Sequence, residues 1–448
     1  MKQTTFPVDF TWGTATSAYQ IEGAVDQDGR GPSIWDTFAA QKGAIADQSS
    51  GAIACNHYGL WQKDIDLMKS LGLNAYRFST AWPRILPQGR GTPNQKGLDF
   101  YSNLVDSLLE AGITPWLTLY HWDLPQALQD KGGWTNRATV DAFVEYAEVM
   151  ATHLGDRVKH WITHNEPWCI SVLGHLEGEH APGIKDHRSM MQSAHHVLLS
   201  HGLAVPKIRA HSAKAQVGIT LNLCPAYGAS QSEADRKAQH SFDGQFNRWF
   251  LDPLYKGQYP ADIIEEYSQH SSLDFVKEGD LKAMQAPLDF LGINYYSRAI
   301  LRDRAAQNNE VPTITSKESE FTEMGWEVYP QGLFDILSRI HKDYDAGDLY
   351  ITENGAAYGT SPDAQNQEVD DQKRISYFQS HLEACRDAIN DGIPLKGYFA
   401  WSLLDNFEWA HGYKKRFGLV WVDYETQKRI PKNSAYWYRD FIEQNRHP

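Results

Sequence analysis

Two glutamates, Glu166 and Glu353, each stand at the end of a strand-like segment of the chain. Glu166 is followed by Pro167, which cannot extend a strand ladder. Glu353 is followed by Asn354-Gly355, where the glycine permits a sharp turn. Two carboxyl groups that face one pocket are the minimal equipment for cleaving a glycosidic bond. One can protonate the leaving oxygen, while the other attacks the sugar carbon or activates water.

Other predicted strands also end in polar or aromatic side chains. These residues are Gln20, His121-Trp122, Asn165, Asn294-Tyr295-Tyr296 and Trp401. Each of them alone is more typical of a helix cap or a turn, and Asn354-Gly355 alone is typical of a hairpin. Together they favour a shared site, and the helical pattern near 371–390 disfavours the hairpin.

These residues need a scaffold that brings strand ends together, and the sequence predicts one. Short β-branched and aromatic segments alternate with amphipathic ones, which is typical of βα units. The predicted strands are 10–16, 74–80, 114–121, 159–166, 216–223, 288–296, 348–353 and 396–403, and the predicted helices lie near 59–71, 98–111, 140–150 and 375–389. The longest polar segments, about 302–325 and 359–372, predict loops.

Eight strands with helical spacers predict an α/β fold, a single (β/α)8 barrel with long βα loops over residues 1–448. In such a barrel the carboxyl ends of the strands carry the chemistry, and Glu166 and Glu353 end the fourth and seventh predicted strands. An open doubly wound sheet is the alternative. The Gly-rich phosphate turn expected after an early strand of that fold is missing from this sequence.

The composition restricts the partners. The 448 residues carry 42 Lys and Arg against 56 Asp and Glu, a formal net charge of −14, which argues against nucleic acid and anionic membranes. No segment approaches the 18 apolar residues of a membrane span, and the N-terminus has no apolar signal core. With four widely spaced cysteines, the sequence predicts a cytoplasmic protein with reduced thiols. The 15 Trp, 22 Tyr and 18 Phe suit sugar rings or a large core.

Seven motifs in order between about residues 6 and 440 carry a resemblance. They are Phe10–Gly23, Tyr76–Ser79, Tyr120–Pro125, Thr163–Pro167, Gly292–Tyr296, Ile351–Gly355 and Trp401–Trp409. On these residues the chain resembles the glycoside hydrolases of family 1, and among them the bacterial β-glucosidases. One departure lies next to Glu166, since the family commonly has Phe where this chain has His164.

The resemblance implies that Glu166 is the acid/base and Glu353 the nucleophile of a retaining mechanism. In that role Glu166 must start protonated, so Trp161 or Trp168 and the charge on Glu353 should raise its pKa. Glu353 must stay ionised, and the resemblance indicates Arg77 and Tyr296 as its partners. We expect a bell-shaped pH profile with a mildly acidic optimum.

The resemblance also implies the sugar-binding residues. The positions that match the family's substrate-binding set are Gln20, His121, Asn165, Tyr296, Trp401, Glu408 and Trp409. Asn165 would contact the sugar 2-hydroxyl. Since Asn165 and Glu166 would point to opposite faces of an ideal strand, a bulge or strand end must redirect one. Without the resemblance, Gln20 and His121 could be satisfied buried polar groups. Trp168, Leu173, His180 and Trp326 resemble the leaving-group side.

Glu408 favours free sugar hydroxyls, because a carboxylate there would repel a phosphate. We therefore expect an exo-acting β-glucosidase with β-galactosidase and β-fucosidase side activity, acting on cello-oligosaccharides or plant glucosides. A 6-phospho-β-glucosidase is the alternative, and we interpret Lys414-Lys415-Arg416 as a solvated basic turn rather than a phosphate site. An alternative of another class is a catalytically silent binding module.

No cofactor and no metal are expected. The sequence contains no His-Glu-x-x-His motif, and His160 and His164 lie on a predicted strand. Neither the composition nor the charge decides whether the chain forms a homo-oligomer.

Overall fold

A computed structural model describes residues 6–303, 319–365 and 367–446 of the chain. The strands, in chain order, are Thr11–Ala15 (β1), Ala75–Ser79 (β2), Thr114–Tyr120 (β3), His160–Asn165 (β4), Gln216–Asn222 (β5), Ala226–Gly228 (β6), Phe290–Asn294 (β7), Ala299–Leu301 (β8), Asp348–Asn354 (β9), Leu395–Trp401 (β10), Val420–Val422 (β11) and Arg429–Pro431 (β12). Eight of them form one closed parallel barrel in the order β1-β10-β9-β7-β5-β4-β3-β2. The predicted (β/α)8 barrel is confirmed, and each predicted strand forms.

Helices connect the barrel strands on the outside. They are Ala18–Ile21 (α1), Ile34–Ala39 (α2), His57–Ser70 (α3), Trp82–Ile85 (α4), Gln95–Glu110 (α5), Gln126–Gln129 (α6), Ala138–Leu154 (α7), His187–His211 (α8), Glu233–Asp243 (α9), Trp249–Tyr255 (α10), Ala261–Ser268 (α11), Asp280–Met284 (α12), Pro330–Tyr344 (α13), Gln372–Asn390 (α14) and Asn433–Arg446 (α15). The chain also forms π-helical turns over Cys169–Glu177 and Gly244–Arg248 and 3-10 turns over Gly133–Thr135 and Trp409–Lys414. None of these helices combines the length and the apolar composition needed to cross a lipid bilayer.

The predicted helices form where apolar residues recur at spacings of three and four. In α5 the side chains of Leu98, Tyr101 and Val105 are buried against the barrel, and the helix ends before Gly112. Gly112 has a φ of 74°, which a residue with a Cβ atom adopts only with strain. The four predicted helices correspond to α3, α5, α7 and α14.

Two long helices, α8 and α13, lie outside the sequence-based predictions. α8 is buried on nearly all sides between Met190 and Ile208 and includes His195, His196 and His201 among its buried residues, so its buried positions do not follow an apolar pattern. α13 buries Leu333, Leu337 and Ile340 at helical spacing, so its sequence does carry the signal. Of the two predicted loops, residues 304–318 and 366 lie outside the described residues. The described parts 302–303, 319–325, 359–365 and 367–371 contain no helix, and the last predicted loop residue, Gln372, is the first residue of α14.

The barrel interior has its own apolar cluster. Trp116 on β3 meets Phe290 on β7 and Phe399 on β10, with ring centroids 5.2 Å apart in both pairs. These strands are not neighbours, so the three rings lie inside the barrel and close its centre. A cavity lies at the end of the barrel where the strands terminate.

Candidate active site

A cavity of about 490 Å³ opens at the carboxyl ends of the barrel strands. Its wall contains, among others, His121, Trp122, Glu166, Trp168, Cys169, Leu173, His180, Asn222, Cys224, Asn294, Tyr296, Arg298, Trp326, Glu353, Trp401, Glu408 and Trp409. Glu166 and Glu353 therefore face the same space, although they are 187 residues apart in the chain.

Glu166 enters the cavity because the backbone changes direction at the end of β4. Ile162 pairs with Gly218 on β5 and Asn165 pairs with Thr220, so three steps along β4 match two steps along β5. This bulge turns Asn165 inward, and Glu166 has a φ of 50°, in the left-handed region. The expected redirection of the strand end is confirmed. A backbone held in this region stores strain at a position that the fold determines closely.

The carboxyl group of Glu166 is held at both oxygens. Asn294 Nδ2 donates to Oε1 over 2.7 Å, and the Cys169 thiol donates to Oε2 over 3.1 Å. The glutamate is 5 % exposed. Burial and, next, the charge of Glu353 raise the pKa of Glu166 to about 8. Near neutral pH this carboxyl group therefore holds a proton that it can donate.

Glu353 has a different set of partners. Arg77 Nη1 donates to Oε1 over 2.6 Å, and the Tyr296 hydroxyl donates to Oε2 over 2.7 Å. Burial raises the pKa of Glu353. Arg77, which has the larger opposing effect, and Tyr296 stabilise the charged form and limit that rise. Glu353 contacts a cation, whereas the described residues place no cation against Glu166, and this difference makes Glu353 the ionised member of the pair.

Asn165 lies behind the two carboxyl groups in a buried hydrogen-bond network. Its Oδ1 accepts from Arg77 Nη2 over 2.6 Å and from Asn294 Nδ2 over 3.0 Å. Its Nδ2 lies 3.1 Å from His121 Nε2. Burial, and next the charge of Arg77, hold the pKa of His121 well below its usual value, so the ring is neutral and Nε2 can accept. The described residues provide no partner for the second N–H of the Asn165 amide.

Glu408 and Trp409 follow β10 and form another part of the wall. Glu408 is buried, and its Oε2 has no hydrogen-bond partner in the part of the chain that the structure describes. Burial, and next the charges of Glu353 and Glu166, raise its pKa to about 8. A buried carboxyl oxygen without a partner is costly unless a ligand supplies a donor.

Two tryptophans flank this carboxyl group and the histidine. The ring of His121 lies parallel to Trp401 and to Trp409, with centroids 6.0 Å and 5.9 Å apart. Flat aromatic surfaces of this kind can cover the C–H face of a sugar ring.

The structure places Gln20 behind the wall rather than on it. Its amide accepts from Ser17 Oγ over 2.6 Å and donates to Asn406 Oδ1 and to the Phe407 carbonyl over 3.1 Å and 2.9 Å. Gln20 therefore anchors the loop that carries Glu408. Its predicted contact with a sugar stays a prediction.

The residues assigned to the leaving-group side line the same cavity and are partly exposed, which places them nearer its mouth than the buried carboxyl groups. Trp168 packs at a tilt against Phe246 with ring centroids 4.4 Å apart, and the ring of Trp326 lies 5.1 Å from that of Tyr296. Leu173 and His180 also line the cavity, so these four side chains are aromatic or apolar.

Of the two tryptophans expected near Glu166, Trp168 lines the cavity with it. Trp161 faces away from the barrel interior, and its indole donates to the carbonyl of Val158 and to Ser212 Oγ. In the predicted basic turn Lys414 is exposed, whereas Arg416 is partly buried and donates to the buried Asp405 over 2.8 Å.

The structure gives a different reason for the glycine at position 355 than the sharp turn expected from the sequence. Its φ lies outside the left-handed region, and a Cβ there would meet the Trp401 carbonyl oxygen at 1.8 Å. The glycine permits close approach of two strand ends rather than a sharp turn.

Three further residues contact the predicted site residues, namely Asn294, Cys169 and Trp122. The sequence alone assigns none of them a role. Trp122 Nε1 donates to the Asn165 carbonyl over 2.9 Å. Asn294 and Trp122 carry a signal, since both are polar or aromatic residues at strand ends. The sequence carries no signal for the contact between Cys169 and Glu166, because this contact depends on how the chain turns after Glu166.

Within the described ranges, no three His, Cys, Asp or Glu side chains converge as the ligands of a metal ion would. All four cysteines are free thiols.

Comparison with known proteins gives a consistent result over the whole chain. The model of glycosyl hydrolase family 1 matches residues 2–447. The curated "Beta-glucosidase A" of Acetivibrio thermocellus is 48% identical over 447 residues, which is 99% of this chain and 100% of that protein. A "Bifunctional beta-D-glucosidase/beta-D-fucosidase" of Bifidobacterium breve is 44% identical over 457 residues, 98% of each chain.

Among solved structures, the β-glucosidase from Thermotoga maritima in complex with glucoimidazole superposes with a TM-score of 0.95 at 45% identity. The match covers 98% of this chain and 99% of that one.

Proposed function

Because the chain belongs to glycosyl hydrolase family 1, we propose that it is a retaining exo-β-glucosidase that removes terminal β-D-glucosyl residues. The observation that carries the proposal is the pair of buried carboxyl groups in one cavity, with Glu353 paired to Arg77 and Glu166 raised to a pKa of about 8. Two carboxyl groups whose environments separate their pKa values are the acid and the nucleophile of this chemistry.

In the first step Glu353 is the nucleophile and Glu166 the acid. A Glu353 oxygen bonds to the anomeric carbon while the glycosidic C–O bond breaks, and the Glu166 proton moves to the departing oxygen. The product is a glycosyl ester of Glu353 and a free leaving group. This geometry requires the two carboxyl groups about 5–5.5 Å apart.

In the second step Glu166 is the base. The charge of Glu353 disappears in the ester, and since that charge raises the pKa of Glu166, the pKa falls. A water molecule then gives its proton to Glu166 and attacks the anomeric carbon. The ester bond breaks, and glucose leaves with its original β configuration.

The glycone would lie between the tryptophans and the polar wall. Asn165 offers one free amide N–H for the 2-hydroxyl, and the unpartnered oxygen of Glu408 offers an acceptor for hydroxyls at the far side of the ring. Gln20, His121, Tyr296, Trp401 and Trp409 complete the proposed substrate-binding set. Hydrogen bonds that strengthen as positive charge develops on the ring lower the barrier.

The leaving group would lie in the aromatic outer half, which suits aryl and alkyl groups and further β-glucosyl units. Similarity to the bifunctional enzyme of Bifidobacterium breve supports β-fucosidase side activity, and we extend the proposal to β-galactosides. A role in cellulose breakdown would follow from action on cello-oligosaccharides. Free thiols at all four cysteines support a cytoplasmic location.

Proton NMR of cellobiose hydrolysis tests the proposal. We expect β-glucose to form first from the non-reducing unit and to mutarotate later, and first formation of α-glucose would overturn retention. The kcat/KM for 4-nitrophenyl β-glucoside should be about 100-fold higher than that for its 6-phosphate, because a phosphate would meet the Glu408 carboxyl group. The opposite preference would favour a 6-phospho-β-glucosidase, and no turnover of either would favour a silent binding module.

A further inference from the structure

Cys169 is the first residue of the π-helical turn that follows Glu166. Its sulfur lies 3.1 Å from Glu166 Oε2, and the thiol is 8 % exposed. The other oxygen of the carboxyl group accepts from Asn294 on β7, so donors from two different elements hold Glu166.

We propose that Cys169 is a positioning residue for Glu166, whose thiol hydrogen bond fixes the carboxyl group at the oxygen that Asn294 does not hold. This inference rests on the proposed function, because it assigns a role through Glu166.

The neighbours of the sulfur direct its proton toward Glu166. Asn222 Nδ2 donates to Cys169 Sγ over 3.7 Å, so the sulfur accepts on one side and donates on the other. Burial, and next the charge of Glu166, hold the pKa of the thiol well above its usual value. Cys169 therefore stays a donor over the whole working range of pH.

A donated hydrogen bond stabilises the charged carboxylate more than the neutral acid. The thiol therefore opposes the rise in the pKa of Glu166 that burial and Glu353 produce. The titratable and charged groups around Glu166 and the thiol are Glu353, Arg77, Glu408, Tyr296 and Glu177. None of these is changed by a substitution at Cys169, so a shift in the pH profile reports the thiol.

The chain supplies a matched control. Cys224 also lines the cavity, but its thiol lies 3.9 Å and 3.7 Å from the backbone carbonyls of Pro225 and Ser297. A Cys-to-Val substitution makes the same chemical change there without touching Glu166.

The experiment compares Cys169→Val, Cys169→Ser and Cys224→Val with the unaltered enzyme. For each, kcat/KM is measured against pH with phenyl β-glucoside, which needs acid catalysis, and with 2,4-dinitrophenyl β-glucoside, which does not. Cys169→Val should move the alkaline limb for the phenyl substrate upward by about half a pH unit and lower its maximum roughly 3- to 10-fold. The dinitrophenyl substrate should stay within about twofold.

Cys169→Ser keeps a donor, so its alkaline limb should lie at or below that of the unaltered enzyme. Cys224→Val changes the cavity wall but no contact of Glu166, so its alkaline limb for the phenyl substrate should stay at the pH of the unaltered enzyme. An unshifted limb in Cys169→Val, or equal loss on both substrates, would overturn the inference, because it would indicate packing alone. If Cys169→Val does not fold, Cys169→Ala is used with the same criteria. Failure of the proposed function can be distinguished from failure of this inference, because in the former case the unaltered enzyme would hydrolyse neither substrate.

Discussion

Arg77 Nη1 donates to Glu353 Oε1 over 2.6 Å, which joins the middle of β2 to the end of β9 across the barrel. The same guanidinium donates through Nη2 to Asn165 at the end of β4. One buried cation therefore fixes the position of the proposed nucleophile and of the amide proposed to bind the 2-hydroxyl.

Replacement of Arg77 by Met should lower kcat/KM roughly 100-fold or more, because it leaves a buried carboxylate without its cation. Since Arg77 opposes the rise in the pKa of Glu353, its loss raises that pKa. The nucleophile must be ionised, so the acidic limb of kcat/KM should move to higher pH. Arg90→Met, at an exposed ion pair with Glu145, is the control and should leave the profile unchanged. An unmoved acidic limb in Arg77→Met would contradict the role of this cation.

The pH profile of the unaltered enzyme should be bell-shaped. Activity on poor leaving groups should fall as the pH rises through about 8, where Glu166 loses its proton. It should also fall at low pH, where Glu353 takes one up. In Glu353→Gln, which mimics the neutral ester, ¹³C NMR titration should give a lower pKa for Glu166. A flat profile between about pH 4 and pH 9, or an unchanged Glu166 in that variant, would count against the coupled pair.

Replacement of Glu408 by Gln should lower kcat/KM on β-glucosides about 10- to 100-fold, because an amide NH2 group replaces one of the two oxygens that could accept hydrogen bonds from the sugar. Above the Glu408 pKa of about 8, where the carboxyl group is ionised, the substitution also removes the repulsion that a 6-phosphate would meet. The ratio of glucoside to glucoside 6-phosphate activity should therefore fall in the variant. Glu425→Gln, on the exposed turn before β12, serves as the control for loss of one negative charge. An unchanged ratio would remove Glu408 from substrate choice.

A stability prediction concerns the loop that carries Glu408. The fully buried Asp405 accepts from Lys432 Nζ over 2.7 Å, from Arg416 Nη1 over 2.8 Å and from the backbone of Gly418. Asp405→Ala leaves two cations without their partner and should lower the free energy of unfolding by about 3–5 kcal/mol. Denaturant unfolding measures this loss. Lys96→Ala, which removes an exposed ion pair with Asp28, should leave Tm unchanged, and equal Tm values for the two variants would contradict the argument.

The sequence predicts the scaffold well because its signals are local. Segments such as 114–121 are rich in β-branched and aromatic residues, and glycines such as Gly112 end the intervening helices. Strand-end carboxyl groups, which are rare in a buried strand, mark Glu166 and Glu353 in the same way.

The details that depend on backbone direction could not be predicted. Trp161 is close to Glu166 in the chain but faces the helices, and the bulge and the left-handed φ of Glu166 bring Cys169 against the carboxyl group. The hydrogen bonds of Gln20 depend on a loop nearly 390 residues away, for which the sequence around Gln20 carries no signal.

The most direct test of the central claim uses Glu353→Ala with azide and 2,4-dinitrophenyl β-glucoside. Azide fills the space of the missing carboxyl group and attacks from the face that Glu353 would use, so the expected product is α-glucosyl azide. Glu166→Ala should instead give the β-azide, because the glycosyl ester still forms and azide replaces water. Hydrolysis by Glu353→Ala at the rate of the unaltered enzyme, or a β-azide from that variant, would contradict the assignment of Glu353 as the nucleophile.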